Sequence, residues 1–437
     1  MRPRSLFTHP TWLHRLVFWL GAITVGLVIV AMTLFSEWAG DVYRHFSWQY
    51  PWFDFIVPPL GLCFTAWLTL RFFPGSERSG IPQVKTALEI GNTSEHRLKL
   101  ISLRIAIGKM LLPILGLLSG ASVGFGGPAV HVGASIMLSL GRAFNFPAHY
   151  LERGLILAGS AAGFAALFST PLAGIIFALE ELGRTLEEHI SSQVLTAIIL
   201  SGITAYALLN RYIYLEDESL LLPWGRAWLA VPLCGICGGL LGGLFSKICI
   251  LGNHAIKQVR LSPLVVALFC GGLIALINYF SHGSTAGTGY QQTKTILHGT
   301  EAMDFNFPFL KMAAICATFF SGIPSGIFVP SLAVGAGFGV DLGQQFPIAP
   351  LSVMVFLTMA AYFSGTLQLP LTAFVITMEM TNNHGILIPL MATSFLASST
   401  SKLINPTPLY LSLCSAYQTY SPNLTANKTD QAQDPVK

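Results

Sequence analysis

Gly124-Phe125-Gly126-Gly127-Pro128 is a glycine-rich turn with no charged side chain, and it leads into Ala129-Val130-His131-Val132-Gly133-Ala134. It has a partner later in the chain, Gly326-Ile327-Phe328-Val329-Pro330, followed by Ser331-Leu332-Ala333-Val334-Gly335-Ala336. Proline fits the first turn of a helix, where its missing N–H costs nothing. Glycine lets a ligand approach the backbone closely. Each turn therefore opens a helix whose first N–H groups lack an intrahelical partner and sit at the positive end of the helix dipole. Two such ends at membrane depth make an anion pathway built from broken helices.

The surrounding composition sets that depth. The 437 residues are 53% hydrophobic and 10% charged, with a mean hydropathy of +0.62, whereas soluble domains carry about 25% charge. The chain is read as an all-α, polytopic membrane protein. Apolar segments lie near 16–36, 53–73, 101–123, 154–179, 192–208, 227–250, 263–280, 310–320, 350–378 and 385–400. Several are interrupted by Gly, Pro or Ser, and a span needs roughly 20 residues. Irregular backbone at membrane depth is tolerated where it is buried or lines a cavity.

The net charge of +4 and the lack of a basic tract point away from nucleic acid. Arg2, Arg4 and Arg15 precede the first apolar run without an acid, which places the N-terminus in the cytoplasm. That run is long for a signal peptide and no small-x-small cleavage site follows, so it reads as a retained helix. Cys234 and Cys237 form an isolated CxxC without a second ligand pair, and neither a metal nor a cofactor is expected.

The chain resembles itself. Ala161-Ala162-Gly163-Phe164, Pro171-Leu172 and Glu180 recur 199 residues later as Ala360-Ala361-Tyr362-Phe363, Pro370-Leu371 and Glu379. The two glycine turns recur at an offset of 202. Homologous halves with discontinuous segments at matching positions point to a binding site at the membrane midplane. The division read from this is 1–49 for the N-terminus and first helix, 50–215 and 216–412 for the two repeats, and 413–437 for a polar, disordered cytoplasmic tail.

Other residues carry two readings each. Ser79, in Arg78-Ser79-Gly80-Ile81-Pro82, is an N-cap or a hydroxyl aimed at an anion. Lys109 supplies positive potential near the route or snorkels to the interface. Glu180 and Glu181 are functional intramembrane acids or mark a cytoplasmic helix end, since Arg184, Glu187 and Glu188 follow. His131 is a structural histidine or a titratable gate. Tyr410 is an interfacial aromatic unless it faces the pathway. Gly120-Ala121-Ser122-Val123-Gly124 matches a serine-hydrolase elbow, but a glycine-rich membrane helix is the wrong setting for one, and the chain is not read as an enzyme.

Over residues 50–412 the chain resembles the CLC family of chloride channels and proton-coupled chloride exchangers. Ser79-Gly80-Ile81-Pro82 is similar to the family's GSGIP segment, with Arg78 in place of the first glycine. Gly326-Ile327-Phe328-Val329-Pro330 is similar to GIFAP, Pro171-Leu172-Ala173-Gly174 through Glu180-Glu181 to PLAG…EE, and Pro408-Leu409-Tyr410 to PLY. The resemblance implies an inverted repeat, a homodimer with one pore per subunit, residence in the plasma (inner) membrane, and chloride as the partner. It implies that Ser79, Tyr410 and the backbone N–H groups of Ile327 and Phe328 hold the central chloride. Lys109 favours anions electrostatically, and Glu181 matches the inner proton-transfer glutamate. The cytoplasmic nucleotide-binding domains of many relatives have no counterpart in this sequence.

One departure decides the expected mechanism. The family's GREGP reads Gly-Phe-Gly-Gly-Pro here, so its arginine is Phe125 and its gating glutamate is Gly126. The resemblance then implies an open outer anion site at Phe125, Gly126 and Gly127, and passive chloride conduction with Glu181 a relic of the proton path. The alternative is exchange through a substitute acid or His131. Gly126→Glu is expected to slow flux at neutral pH and make it rise with acid.

Overall fold

The computed structural model describes residues 9–89, 94–144, 148–183, 191–209, 220–259, 261–298, 304–381, 385–415 and 417. Residues 418–437 of the expected tail, Arg2 and Arg4, and Arg184, Glu187 and Glu188 lie outside them. The described residues form eighteen α-helices and, apart from one isolated bridge, no β-structure.

The first half runs α1 (His9–Gln49), α2 (Phe53–Phe72), α3 (Ile81–Glu89), α4 (Ser94–Leu100), α5 (Leu103–Leu118), α6 (Gly126–Ala143), α7 (Ala148–Phe168), α8 (Pro171–Phe177) and α9 (Ser192–Leu209). The second runs α10 (Ala230–Val259), α11 (Pro263–Phe280), α12 (Tyr290–His298), α13 (Phe307–Phe320), α14 (Phe328–Gln345), α15 (Leu351–Leu367), α16 (Pro370–Thr381), α17 (Leu387–Ile404) and α18 (Leu409–Cys414). Among the described residues, seven helical segments are long and apolar enough to cross a membrane. They carry α1, α2, α5, α9, α10, α11 and α17. At about 1.5 Å per residue, α1 reaches some 60 Å, twice the hydrocarbon thickness.

Two apolar runs that the sequence presents as continuous are each broken. The run at 154–179 stops at Phe168 and restarts at Pro171, and the run at 350–378 stops at Leu367 and restarts at Pro370. Proline lacks the N–H that an interior helix position donates and its ring crowds the preceding turn, so it favours a helix start over a helix interior. The first residues of the breaks, Ser169 and Gln368, both take left-handed backbone, with φ of +53° and +59°. They stand 199 residues apart, so the breaks belong to the repeat.

The short helices after the breaks cap one another. The Glu180 carboxylate accepts the N–H groups of Leu371 and Thr372 at 3.0 and 2.7 Å, at the start of α16. The Glu379 carboxylate accepts those of Leu172 and Ala173 at 3.1 and 2.6 Å, at the start of α8. A carboxylate at a helix N-terminus satisfies orphan donors and opposes the dipole. Glu180 is thus a cross-repeat cap, half-buried, while its neighbour Glu181 is buried. The two adjacent acids therefore stand in different environments.

Close helix packing holds the interior. The α-carbons of Gly133 and Gly159 face each other's carbonyl groups across α6 and α7, and Gly163 faces the Ala129 carbonyl. Small residues let membrane helices approach at backbone distance. Gly159→Val drives a branched side chain into the Gly133 carbonyl and is expected to destabilise the protein by at least about 1–3 kcal/mol. The thermal aggregation midpoint in detergent should fall; an unchanged midpoint would show that α6 and α7 can part without cost.

Candidate functional site

The glycine turns meet. Gly124 N donates to the Gly326 carbonyl at 3.0 Å and Gly326 N to the Gly124 carbonyl at 2.6 Å, an antiparallel bridge joining the two halves. These two N–H groups are therefore spent on each other, not offered to an anion. The donors that remain belong to the first turns of α6 and α14, where Gly126, Gly127, Phe328 and Val329 lack intrahelical acceptors. The expected donor Ile327 is the N-cap of α14, and its carbonyl accepts from Ser331 N at 3.0 Å.

Ser79 and Tyr410, 331 residues apart in sequence, come together here. Ser79 Oγ donates to Tyr410 Oη at 3.5 Å, and both residues are buried. Hydroxyl pairs usually close to about 2.7–2.8 Å. This pair is wide enough for both hydroxyls to turn toward a third group. The N-cap reading of Ser79 is corrected: the carbonyl of Gly80, not Ser79, accepts Val84 N at 3.0 Å in the first turn of α3. The interfacial reading of Tyr410 is corrected as well, since the ring is 2% exposed and stacks on Phe328 at 5.9 Å and 14°.

Gly127 carries no side chain because none fits. A Cβ there would strike Ser79 Oγ and the Ser79 carbonyl. The α6 backbone therefore lies directly against Ser79. Gly126 is crowded too: a Cβ built on it would lie 2.8 Å from Cβ, Cγ and Cδ2 of Phe328. The space beside Gly126 is filled by Phe328, whose ring also touches Phe164 and Phe363 edge-on. Phe125 is buried at the N-cap of α6.

Lys109 is fully buried in α5, which overturns the snorkelling reading. Its Nζ donates to the carbonyls of Ser76, Glu77 and Arg78 at 2.8, 3.3 and 3.0 Å. Those are the three residues before Ser79. Among the described residues no carboxylate forms an ion pair with it. One charge thus fixes the loop that presents Ser79 and adds positive potential beside it. The second half repeats the device: Lys311, also fully buried, donates to the carbonyls of Thr285 and Gly287 at 2.8 and 2.9 Å.

His131 is held. Its Nε2 lies 2.9 Å from the Leu100 carbonyl and its Nδ1 3.4 Å from Ser135 Oγ, with the ring fully buried. The structural reading fits this environment. Ser122 Oγ is buried without a hydrogen-bond partner among the described residues, so no base activates it.

Glu181 has a partner that the sequence did not suggest. Its Oε1 receives Lys85 Nζ at 2.8 Å, and the side chains are 1% and 3% exposed. Breaking such a buried pair leaves an uncompensated charge. Lys85 projects from α3, the helix that Ser79 precedes. The far end of α3 is fastened by Arg97, which donates from Nε to the Ala87 carbonyl at 3.3 Å and pairs with Glu152 at 3.0 Å. The one available signal for Lys85 was its place in the buried helix behind Ser79.

Cradle, broken helices and reciprocal halves are accompanied by a match to a known family. Residues 61–402 match the family model of voltage gated chloride channels, and the chain belongs to that family. The H(+)/Cl(-) exchange transporter ClcA of Vibrio vulnificus, in two strains, is 28% identical over 384 residues, covering 83% of this chain and 79% of that protein. A slow cyanobacterial Cl−/H+ antiporter superposes with a TM-score of 0.78 at 24% identity, covering 93% of this chain and 99% of its own. A CLC-type fluoride/proton antiporter gives 0.73 at 25% identity, covering 92% and 99%. The protein is an integral, multi-pass membrane protein with the CLC fold, and its family transports anions.

Proposed function

We propose that this chain conducts chloride passively, without proton coupling, through the cradle formed by Ser79, Tyr410 and the N-termini of α6 and α14. The observation that carries the reading is the turn at Gly126. The position that holds the gating acid in the family has no side chain, and Phe328 fills the space beside it. The inner acid is tied as well: the Glu181 carboxylate is anchored to Lys85 at 2.8 Å. The His131 ring lies against the Leu100 carbonyl and the Ser135 hydroxyl.

A second reading, proton-coupled exchange through Glu181, is favoured by two facts. The similar Vibrio protein is named as an exchanger, and Glu181 Oε2 has no hydrogen-bond partner among the described residues. We place the chain in the bacterial inner membrane with its N-terminus cytoplasmic, as a homodimer with one pathway per subunit. Chloride is the partner by analogy with the similar transporters.

Ser79→Ala tests the cradle. Losing one hydroxyl that faces a charged partner costs about 1.5–3 kcal/mol. Chloride efflux from liposomes should lose selectivity over larger anions, while the protein still folds. Unchanged selectivity would remove Ser79 from the pathway.

A further inference from the structure

A charged cavity with a volume of about 380 Å³ is lined in part by Glu77 and Arg78, the two residues that lead into Ser79. Its charged lining is Glu77, Arg78 and Lys257, with the hydroxyls of Thr69, Ser321 and Tyr417, and most of the rest is apolar, Leu70 and Phe320 among it. Lys257 stands in the last turn of α10. Arg78 takes left-handed backbone, φ +61°, and its guanidinium lies 5.7 Å from the centre of the Phe319 ring. Among the described residues neither cation forms an ion pair, and the Glu77 carboxylate accepts the Gly75 N–H at 3.2 Å. The cavity thus carries two cations against one acid.

A chloride ion is far too small to fill this space. A guanidinium presents a planar fork of donors that matches two oxygens of an oxyanion, and a lysine adds a point charge. We propose that the cavity binds a phosphate group through Arg78 and Lys257, with the apolar wall taking any attached hydrocarbon. That group comes from an anionic phospholipid or from free phosphate. Leu70, on the rim, is 43% exposed on a membrane-spanning helix, which gives an acyl chain a way in. Arg78 also immediately precedes Ser79, and its carbonyl is held by Lys109 at 3.0 Å. An occupant therefore bears on the segment that positions the cradle. This last effect rests on the conduction reading; the binding does not.

The test uses purified protein, Arg78→Gln and Lys257→Gln. Lys257 is exposed at a helix end, so its variant should fold and conduct chloride in neutral vesicles as the unmodified chain does. If the source is lipid, phosphatidylglycerol retained through purification falls about tenfold in each variant, the loss expected when one charged hydrogen-bond partner goes. If the source is free phosphate, inorganic phosphate raises the melting temperature of the unmodified protein and of neither variant. Either pattern supports the site. Equal retention and equal phosphate response in all three proteins overturn it, as does the absence of both effects in the unmodified protein. Because retention and melting are read without flux, a failure of chloride conduction leaves this result standing and distinguishable.

Discussion

Gly126→Glu is expected to cut chloride efflux more than about tenfold at neutral pH and, alone, to recover little in acid. The sequence suggests a simpler result, a carboxylate that blocks when ionised and releases when protonated. The structure changes the expectation because Cβ, Cγ and Cδ2 of Phe328 lie 2.8 Å from where the new Cβ must go. Phe328 is wedged against Phe164, Phe363 and Tyr410 and cannot yield without moving them. Overpacking of this kind costs about 1–3 kcal/mol and is indifferent to pH. Gly126→Glu with Phe328→Ala gives the carboxylate room. In that double variant flux should rise as pH falls and the carboxyl takes up a proton. Efflux from liposomes at neutral and acidic pH separates the two effects. Full activity of the single variant at neutral pH would show that Gly126 does not border the route.

Lys109→Met is expected to damage both the fold and the anion pathway. It leaves the carbonyls of Ser76, Glu77 and Arg78 without their donor. Each unsatisfied buried acceptor costs about 1–3 kcal/mol, so a total of at least about 3 kcal/mol is expected. Lys311→Met makes a useful contrast. It releases the Thr285 and Gly287 carbonyls, a similar structural loss, but in a loop that does not carry Ser79. Both variants should melt earlier in detergent. Lys109→Met alone should also lower the preference for anions over cations in the protein that survives, because Lys109 charges the loop beside Ser79. Equal selectivity in the two variants would reduce Lys109 to a structural clamp.

Much of this architecture is legible in the sequence, for reasons that can be named. The Gly-x-x-x-Pro turns announce helix starts because proline and glycine have few other uses there, and α6 and α14 begin at those turns. The repeat offset places the second broken segment once the first is found. What the sequence hides is which groups meet across the fold. Glu180 and Glu379 align in the repeat, yet nothing in their spacing says that each caps the other's helix. Lys85 and Glu181 are 96 residues apart and pair only because α3 packs behind the cradle. The loss of a side chain at Gly126 reads as empty space in one dimension, and in three dimensions Phe328 occupies it. Lys109 reads as ambiguous because a lone lysine in an apolar run has two solutions, snorkelling or burial against carbonyls. Its counterpart Lys311, at the same 202-residue offset as the turns, is a signal that the sequence does contain.

The names of similar proteins make coupling the sharpest question. The Vibrio protein and the cyanobacterial antiporter are named for chloride–proton exchange and a third relative for fluoride–proton exchange, whereas this chain has glycine at 126 and pairs Glu181 with Lys85. Purified protein in liposomes, loaded with chloride and followed for chloride efflux and external pH together, answers it directly. Chloride efflux with a flat pH trace is the expected result. Proton movement in fixed ratio to chloride, persisting in the unmodified chain and lost in Glu181→Gln, would contradict passive conduction and make Glu181 the carrier.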